Sequence, residues 1–156
     1  MNDEKMLNFE SVAAALDFAI DKEQEAYDFY TEWSEKLEHD AIRQVFREFA
    51  VEELRHRDLV TDAKEGKREL KIDEKMRDLK ITDYFIEVKA STEMNYQDAL
   101  QFAIQREKGS IELYRHLADT ATSANINSLF ESLVQEETKH KVRLEEIYDD
   151  NFLKEG

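Results

Sequence analysis

Two Glu-x-x-His tetrads stand in this chain, Glu53 to His56 and Glu137 to His140. On a helix the two ends of such a tetrad differ by about 60° around the axis, so glutamate and histidine face the same way. Carboxylate and imidazole together suit iron, manganese and zinc. Two further glutamates, Glu23 and Glu107, lie inside apolar stripes, where an unpaired carboxylate is out of place.

The four glutamates are linked by an internal repeat. Ala15 to Glu23 (ALDFAIDKE) recurs as Ala99 to Glu107 (ALQFAIQRE), and Phe46 with EELRH ending at His56 recurs as Phe130 with EETKH ending at His140. The step from Glu23 to Glu107 equals the step from His56 to His140, so no gap separates the two blocks. A single Glu-x-x-His in an acidic helix signifies little, whereas two copies plus two stripe glutamates at one constant offset form a pattern.

Four carboxylates buried together repel one another and each loses its hydration, at a cost of several kcal/mol apiece. Two divalent cations would cancel the charge. One Glu from each of two helices plus Glu-x-x-His from each of the other two is the ligand set of di-iron and di-manganese carboxylate bundles. The competing reading is a duplicated helical hairpin whose buried polar residues form a metal-free hydrogen-bonded network. Glu52 and Glu136 offer a shifted register, one position earlier than the favoured glutamates, but lie about 100° from the stripe centre and read as boundary residues. Tyr30 and Tyr114 sit two turns beyond Glu23 and Glu107, where a phenol could hydrogen-bond a ligating carboxylate or serve only as core. His39 and His116 have no matching histidine in the other half and read as surface or helix-end residues.

Helices must position these groups. Among 156 residues there is no proline and there are three glycines, so the residues that end helices and build hairpin turns are nearly missing. Gly109, inside a helical stretch, reads as a tolerated glycine or a point of close packing. Each half reads as two helices, the first capped by Ser11 and its repeat partner by Asn95. Residues 67–92 break the pattern and read as a crossover with one short helix, between repeat halves at about 11–66 and 95–153. The expected fold is all-α, a single domain over 1–156: a four-helix bundle of two helical hairpins joined by a long crossover. Hydrophobic residues make up 41% of the chain, enough to fill such a core.

Composition narrows the partners. A formal charge of −15 repels phosphate backbones and anionic lipids, which argues against nucleic acid and membrane surfaces. No apolar run is long enough to cross a bilayer and no basic leader opens the chain, so a cytoplasmic location is expected. With no cysteine, thiolate zinc sites and iron–sulfur clusters cannot be built, and any metal falls to His, Glu and Asp.

Over essentially its whole length the sequence resembles the rubrerythrin-like branch of the ferritin-like di-iron carboxylate superfamily. The resemblance implies two iron ions held by Glu23, Glu53, His56, Glu107, Glu137 and His140. Glu53 and Glu137 would bridge the ions, Glu23 and Glu107 would be terminal ligands, and the histidines would complete the two spheres. Two departures stand out. The absence of cysteine removes the rubredoxin-type iron domain, so an external electron donor is implied, and Ser110 occupies the place of an additional carboxylate. The remaining six-ligand site is also similar to that of bacterioferritin, although Leu54 replaces its haem-ligating methionine and little sequence follows His140 to form an extra C-terminal helix.

Three functions follow as expectations: an oxidoreductase reducing peroxide or O₂ at a binuclear iron site, a ferroxidase with Fe²⁺ as substrate, or a non-catalytic metal-binding protein using zinc or manganese. Ferritin-like hairpins often pair with another copy, so the resemblance also implies a homodimer.

Overall fold

The computed structural model describes residues 12–66, 94–121 and 123–153. Four α-helices make up nearly all of this: α1 (Val12–Lys36), α2 (Asp40–Lys64), α3 (Tyr96–Thr120) and α4 (Ala124–Tyr148), followed by a short π-helical turn, Asp149–Leu153. The four helices are equal in length, and each boundary of the first pair recurs in the second at the offset that relates Glu23 to Glu107. The duplication seen in the sequence is therefore a duplication of structure. The expected Ser11 cap and the crossover helix within 67–92 lie outside the described residues.

The local signals that start and stop these helices are few and specific. Asn95 caps α3 through a capping box in which its side chain accepts from the Asp98 N–H at 2.8 Å while Asp98 reaches back to the Asn95 N–H. Ser123 accepts from the Ile126 N–H at the start of α4. Beyond α2, Gly66 takes φ of 78°, the left-handed conformation that closes a helix C-terminus and that a side chain would strain.

Helix α1 packs along α2 and α3 along α4, while α1–α3 and α2–α4 contacts join the hairpins. Across the α1–α3 seam Tyr30 meets Glu107 and Tyr114 meets Glu23, so advancing along one helix means retreating along the other. Across α2–α4, His56 meets Glu136 and His140 meets Glu52, again antiparallel. The end of α2 and the start of α3 thus lie at opposite ends of a bundle about 38 Å long, and the connection between them has to travel that length. Each of these contact pairs maps onto its fellow under the repeat, which gives the bundle an approximate internal twofold axis.

Two apolar clusters fill the bundle. One, with Leu16, Val60, Leu117 and Phe130 among its members, is largely aliphatic; the other gathers Phe29, Tyr30, Trp33, Phe46 and Phe49. The stripe residues of the repeat are buried, except that Ile20, Tyr27, Val45, Ile104 and Val134 are only partly so and pack at the margins. Gly109 is buried within α3.

Replacing Asn95 by Ala removes the capping box and should lower unfolding free energy by about 1 kcal/mol. Urea unfolding of the two proteins measures this, and metal stoichiometry should not change.

Candidate metal centre

Glu23 from α1, Glu53 and His56 from α2, Glu107 from α3, and Glu137 and His140 from α4 meet at the middle of the bundle, and none is more than 2% exposed. The helical period is the cause. Each glutamate replaces an apolar residue in the core-facing stripe, and the three-residue step to each histidine keeps both side chains on that face.

The six residues form two groups of four. Glu23, Glu53, His56 and Glu137 bring one ligand-type atom each within 4.8 Å of one another, and so do Glu53, Glu107, Glu137 and His140. Glu53 and Glu137 belong to both groups. Two cations placed in them would share these carboxylates, while Glu23 with His56 and Glu107 with His140 would serve one ion each.

Both imidazoles turn Nδ1 inward. His56 Nδ1 lies 3.1 Å from Glu53 Oε1, 3.3 Å from Glu137 Oε1 and 3.4 Å from Glu23 Oε2. His140 Nδ1 lies 3.2 Å from Glu107 Oε2 and 3.5 Å from both Glu53 Oε1 and Glu137 Oε1. The outer nitrogens are held across the α2–α4 seam, His56 Nε2 by Glu136 and His140 Nε2 by Glu52, each at 3.1 Å. A carboxylate at Nε2 fixes the proton there and leaves the Nδ1 lone pair for a metal. Glu136 is itself paired with Arg55.

The terminal glutamates are oriented by phenols of the opposite hairpin. Tyr30 donates to Glu107 Oε2 at 2.7 Å and Tyr114 to Glu23 Oε2 at 2.6 Å. Both tyrosines are fully buried, and burial together with the adjacent carboxylate holds their hydroxyls protonated well above the usual range.

What the protein does not supply is equally informative. Glu23 Oε1, Glu53 Oε1, Glu107 Oε1, both oxygens of Glu137 and His56 Nδ1 are buried with no aligned hydrogen-bond partner. A metal-free polar network would satisfy these atoms, since each orphan costs about 1–3 kcal/mol or more when charged. They converge instead on the two groups just described. The residues fit a pair of divalent cations: four carboxylates for charge, two neutral nitrogens, and orphaned atoms on every bridging and terminal ligand type.

The structure brings together all six inward residues singled out from the sequence and sets both tyrosines against them. Sequence reasoning undervalued Glu52 and Glu136, which are not in the inward groups but anchor the histidines of the opposite hairpin. Their signal was present: they repeat at the same offset, and a metal-binding imidazole needs its second nitrogen held. His39 is exposed at the start of α2, as expected. His116 lies in the last turns of α3, a helix-end position, half-buried with Nε2 shielded from solvent. Among the described residues no helix is long and apolar enough to cross a membrane.

Without cations the centre must bind protons. Burial, and then Glu107, Glu137 and Glu23, push the Glu53 carboxyl well above its ordinary 4.5; burial, and then Glu107 and Glu23, do the same to Glu137. Burial alone would lower the imidazoles, but Glu23 and Glu53 hold His56 up at about 11, and Glu107 foremost holds His140 at about 10. The folded metal-free chain therefore carries more protons than the unfolded one above pH 4.5, so its stability should fall as pH rises. The contribution of the histidines is complete below 6.5 and is lost as pH passes their folded values of about 10 and 11. Thermal unfolding of metal-free protein should give a lower Tm at about pH 8 than at about pH 5, with a smaller drop in Glu53→Gln; metal binding should release protons and reverse the trend. A metal-free Tm that climbs over this range contradicts the assignment.

Comparison with known proteins agrees with this architecture. A solved structure from Thermotoga maritima, described as a ferritin-like diiron-carboxylate protein, superposes with a TM-score of 0.70 over 91% of this chain and 96% of the other, at 22% identity. That likeness shows the ferritin-like fold. Curated protein sequences give no significant match. The rubrerythrin family model matches residues 14–148, covering nearly all of the four helices and every residue of the centre, and the chain belongs to the rubrerythrin family.

Proposed function

We propose that the protein is an oxidoreductase that reduces peroxide or O₂ at a binuclear iron centre held by Glu23, Glu53, His56, Glu107, Glu137 and His140. The observation that carries this reading is the sharing of Glu53 and Glu137 between the two four-residue groups. Shared carboxylates couple two ions, and a coupled iron pair supplies two electrons to one small oxidant. Zinc, which has no redox chemistry, would leave the orphaned oxygens satisfied but the centre inert.

The chain's own residues prepare that chemistry. Tyr30 and Tyr114 fix the terminal carboxylates, Glu136 and Glu52 fix the imidazoles, and the apolar clusters on either side exclude bulk water. Reducing peroxide to two waters takes two electrons and two protons. The electrons come from an external donor, since no cysteine-ligated iron can be built from this sequence. Glu52 and Glu136 connect the buried histidines to partly exposed carboxylates, the kind of hydrogen-bonded link along which protons move. The bond to His140 favours the Glu52 anion more than burial disfavours it, so this carboxyl stays below the ordinary range and remains an acceptor.

A second reading, ferroxidase activity, draws on the symmetry of the six-residue set, with Ser110 on α3 adding no seventh carboxylate. Sustained uptake of more than two irons per chain would favour it.

Glu53→Ala and Glu137→Ala should each lower bound metal from two ions per chain to one or none, whereas Glu48→Ala and Glu112→Ala should retain both. In protein loaded anaerobically with Fe²⁺, near-ultraviolet absorption should rise faster with peroxide than with O₂. Equal metal content in all four variants would sink the ligand set, and a loaded protein inert to both oxidants would sink the reaction.

A further inference from the structure

The internal twofold makes the two four-residue groups alike, but the residues around them break the symmetry. Phe49 stacks on the His140 ring, with centroids 3.9 Å apart and planes 19° from parallel. Its repeat partner is Leu133, which has no ring to lay on His56. A cleft between α1 and α3 is also off-axis. Its floor is Glu53 and Glu107, with Tyr30 alongside, so it reaches the group containing His140 and touches neither Glu23 nor Glu137.

The walls explain why there is space here. Ala26 and Ser110 are repeat partners facing one another across the seam, and Ala103 adds a third short side chain. The cleft holds about 220 Å³ of space, part of it open to solvent, and it is too narrow as it stands for a water-sized sphere. On the floor, Glu53 Oε1 and Glu107 Oε1 are buried without hydrogen-bond partners. Arg106 crosses from α3 to α1 on the solvent side, donating to the Lys22 carbonyl at 2.8 Å and to the exposed Glu25 at 3.1 Å. Its guanidinium is a strap over the opening and a positive charge beside it.

We propose that this cleft is the entry route for a small neutral or anionic oxidant of peroxide size, that it leads to the Glu107–His140 side of the centre, and that Ser110 and Arg106 set its clearance. The proposal rests on the oxidoreductase reading and deepens it by making the two metal positions inequivalent toward external ligands. The proposal assigns the cleft to the oxidant and leaves the cations another path to the centre.

Azide binding to protein loaded with two Co²⁺ per chain tests this without turnover, because cobalt's visible spectrum reports a change in coordination. Wild-type protein should bind one azide per pair. Ser110→Leu fills the cleft and should slow azide association about tenfold or more, while the rate of cobalt loading stays within about twofold. Arg106→Ala removes the strap and should speed azide association several-fold, so the two variants move in opposite directions. An azide association rate unchanged in Ser110→Leu overturns the proposal, as does a slowed cobalt loading with azide association intact, which would make the cleft a cation route. If Ser110→Leu does not fold, an azide association rate in Arg106→Ala no faster than wild type overturns it as well. The underlying reading fails separately: iron-loaded wild type that binds azide but leaves peroxide unreduced refutes the oxidoreductase and not the route.

Discussion

Four carboxylates at 1% exposure or less in the middle of a small helical bundle are the constraint on which everything else in this structure depends. Left to themselves they would cost several kcal/mol each in lost hydration and would repel one another besides. The bundle answers in two ways. Without cations it favours binding protons, since burial and the neighbouring carboxylates push Glu53 and Glu137 up and the carboxylates hold both imidazoles up. With two cations the same groups become ligands, and the orphaned oxygens acquire partners. A centre of this kind would exchange protons for metal, and metal affinity, stability and pH response would then be aspects of one equilibrium.

Duplication is how the chain meets that constraint with few parts. One helical hairpin supplies a terminal glutamate, a shared glutamate, a histidine, a tyrosine and an outer carboxylate, and its copy supplies them again. Neither hairpin is complete alone. Tyr30 orients the glutamate of the other hairpin and Glu52 holds the other hairpin's histidine, so each half positions ligands for its partner. Where the copies have diverged, at Phe49 and Leu133 or at Trp33 and Leu117, the divergence leaves one end of the bundle aromatic and the other aliphatic.

Much of this was legible in the sequence because the helical period and the repeat reinforced each other. A glutamate inside an apolar stripe can be recognised from one helix, and its recurrence at the same place in the second half separates it from the many solvent-facing acids of a chain this charged. The antiparallel pairing across α1–α3 and α2–α4 was not legible, and with it went the role of Glu52 and Glu136. They lie about 100° from the stripe centre, a surface position on an isolated helix, and only the neighbouring helix turns that position toward a histidine. The α1–α3 cleft was not legible for the same reason. Short side chains at Ala26 and Ser110 become an opening only when the seam brings them face to face.

The most direct test of the account is a crystal structure of the iron-loaded protein with anomalous diffraction measured on both sides of the iron absorption edge. Two iron peaks are expected within the bundle, one beside His56 Nδ1 and one beside His140 Nδ1, both in contact with Glu53 and Glu137. A single peak on the twofold axis, or iron bound only at the surface with the four glutamates still buried and unligated, would contradict it.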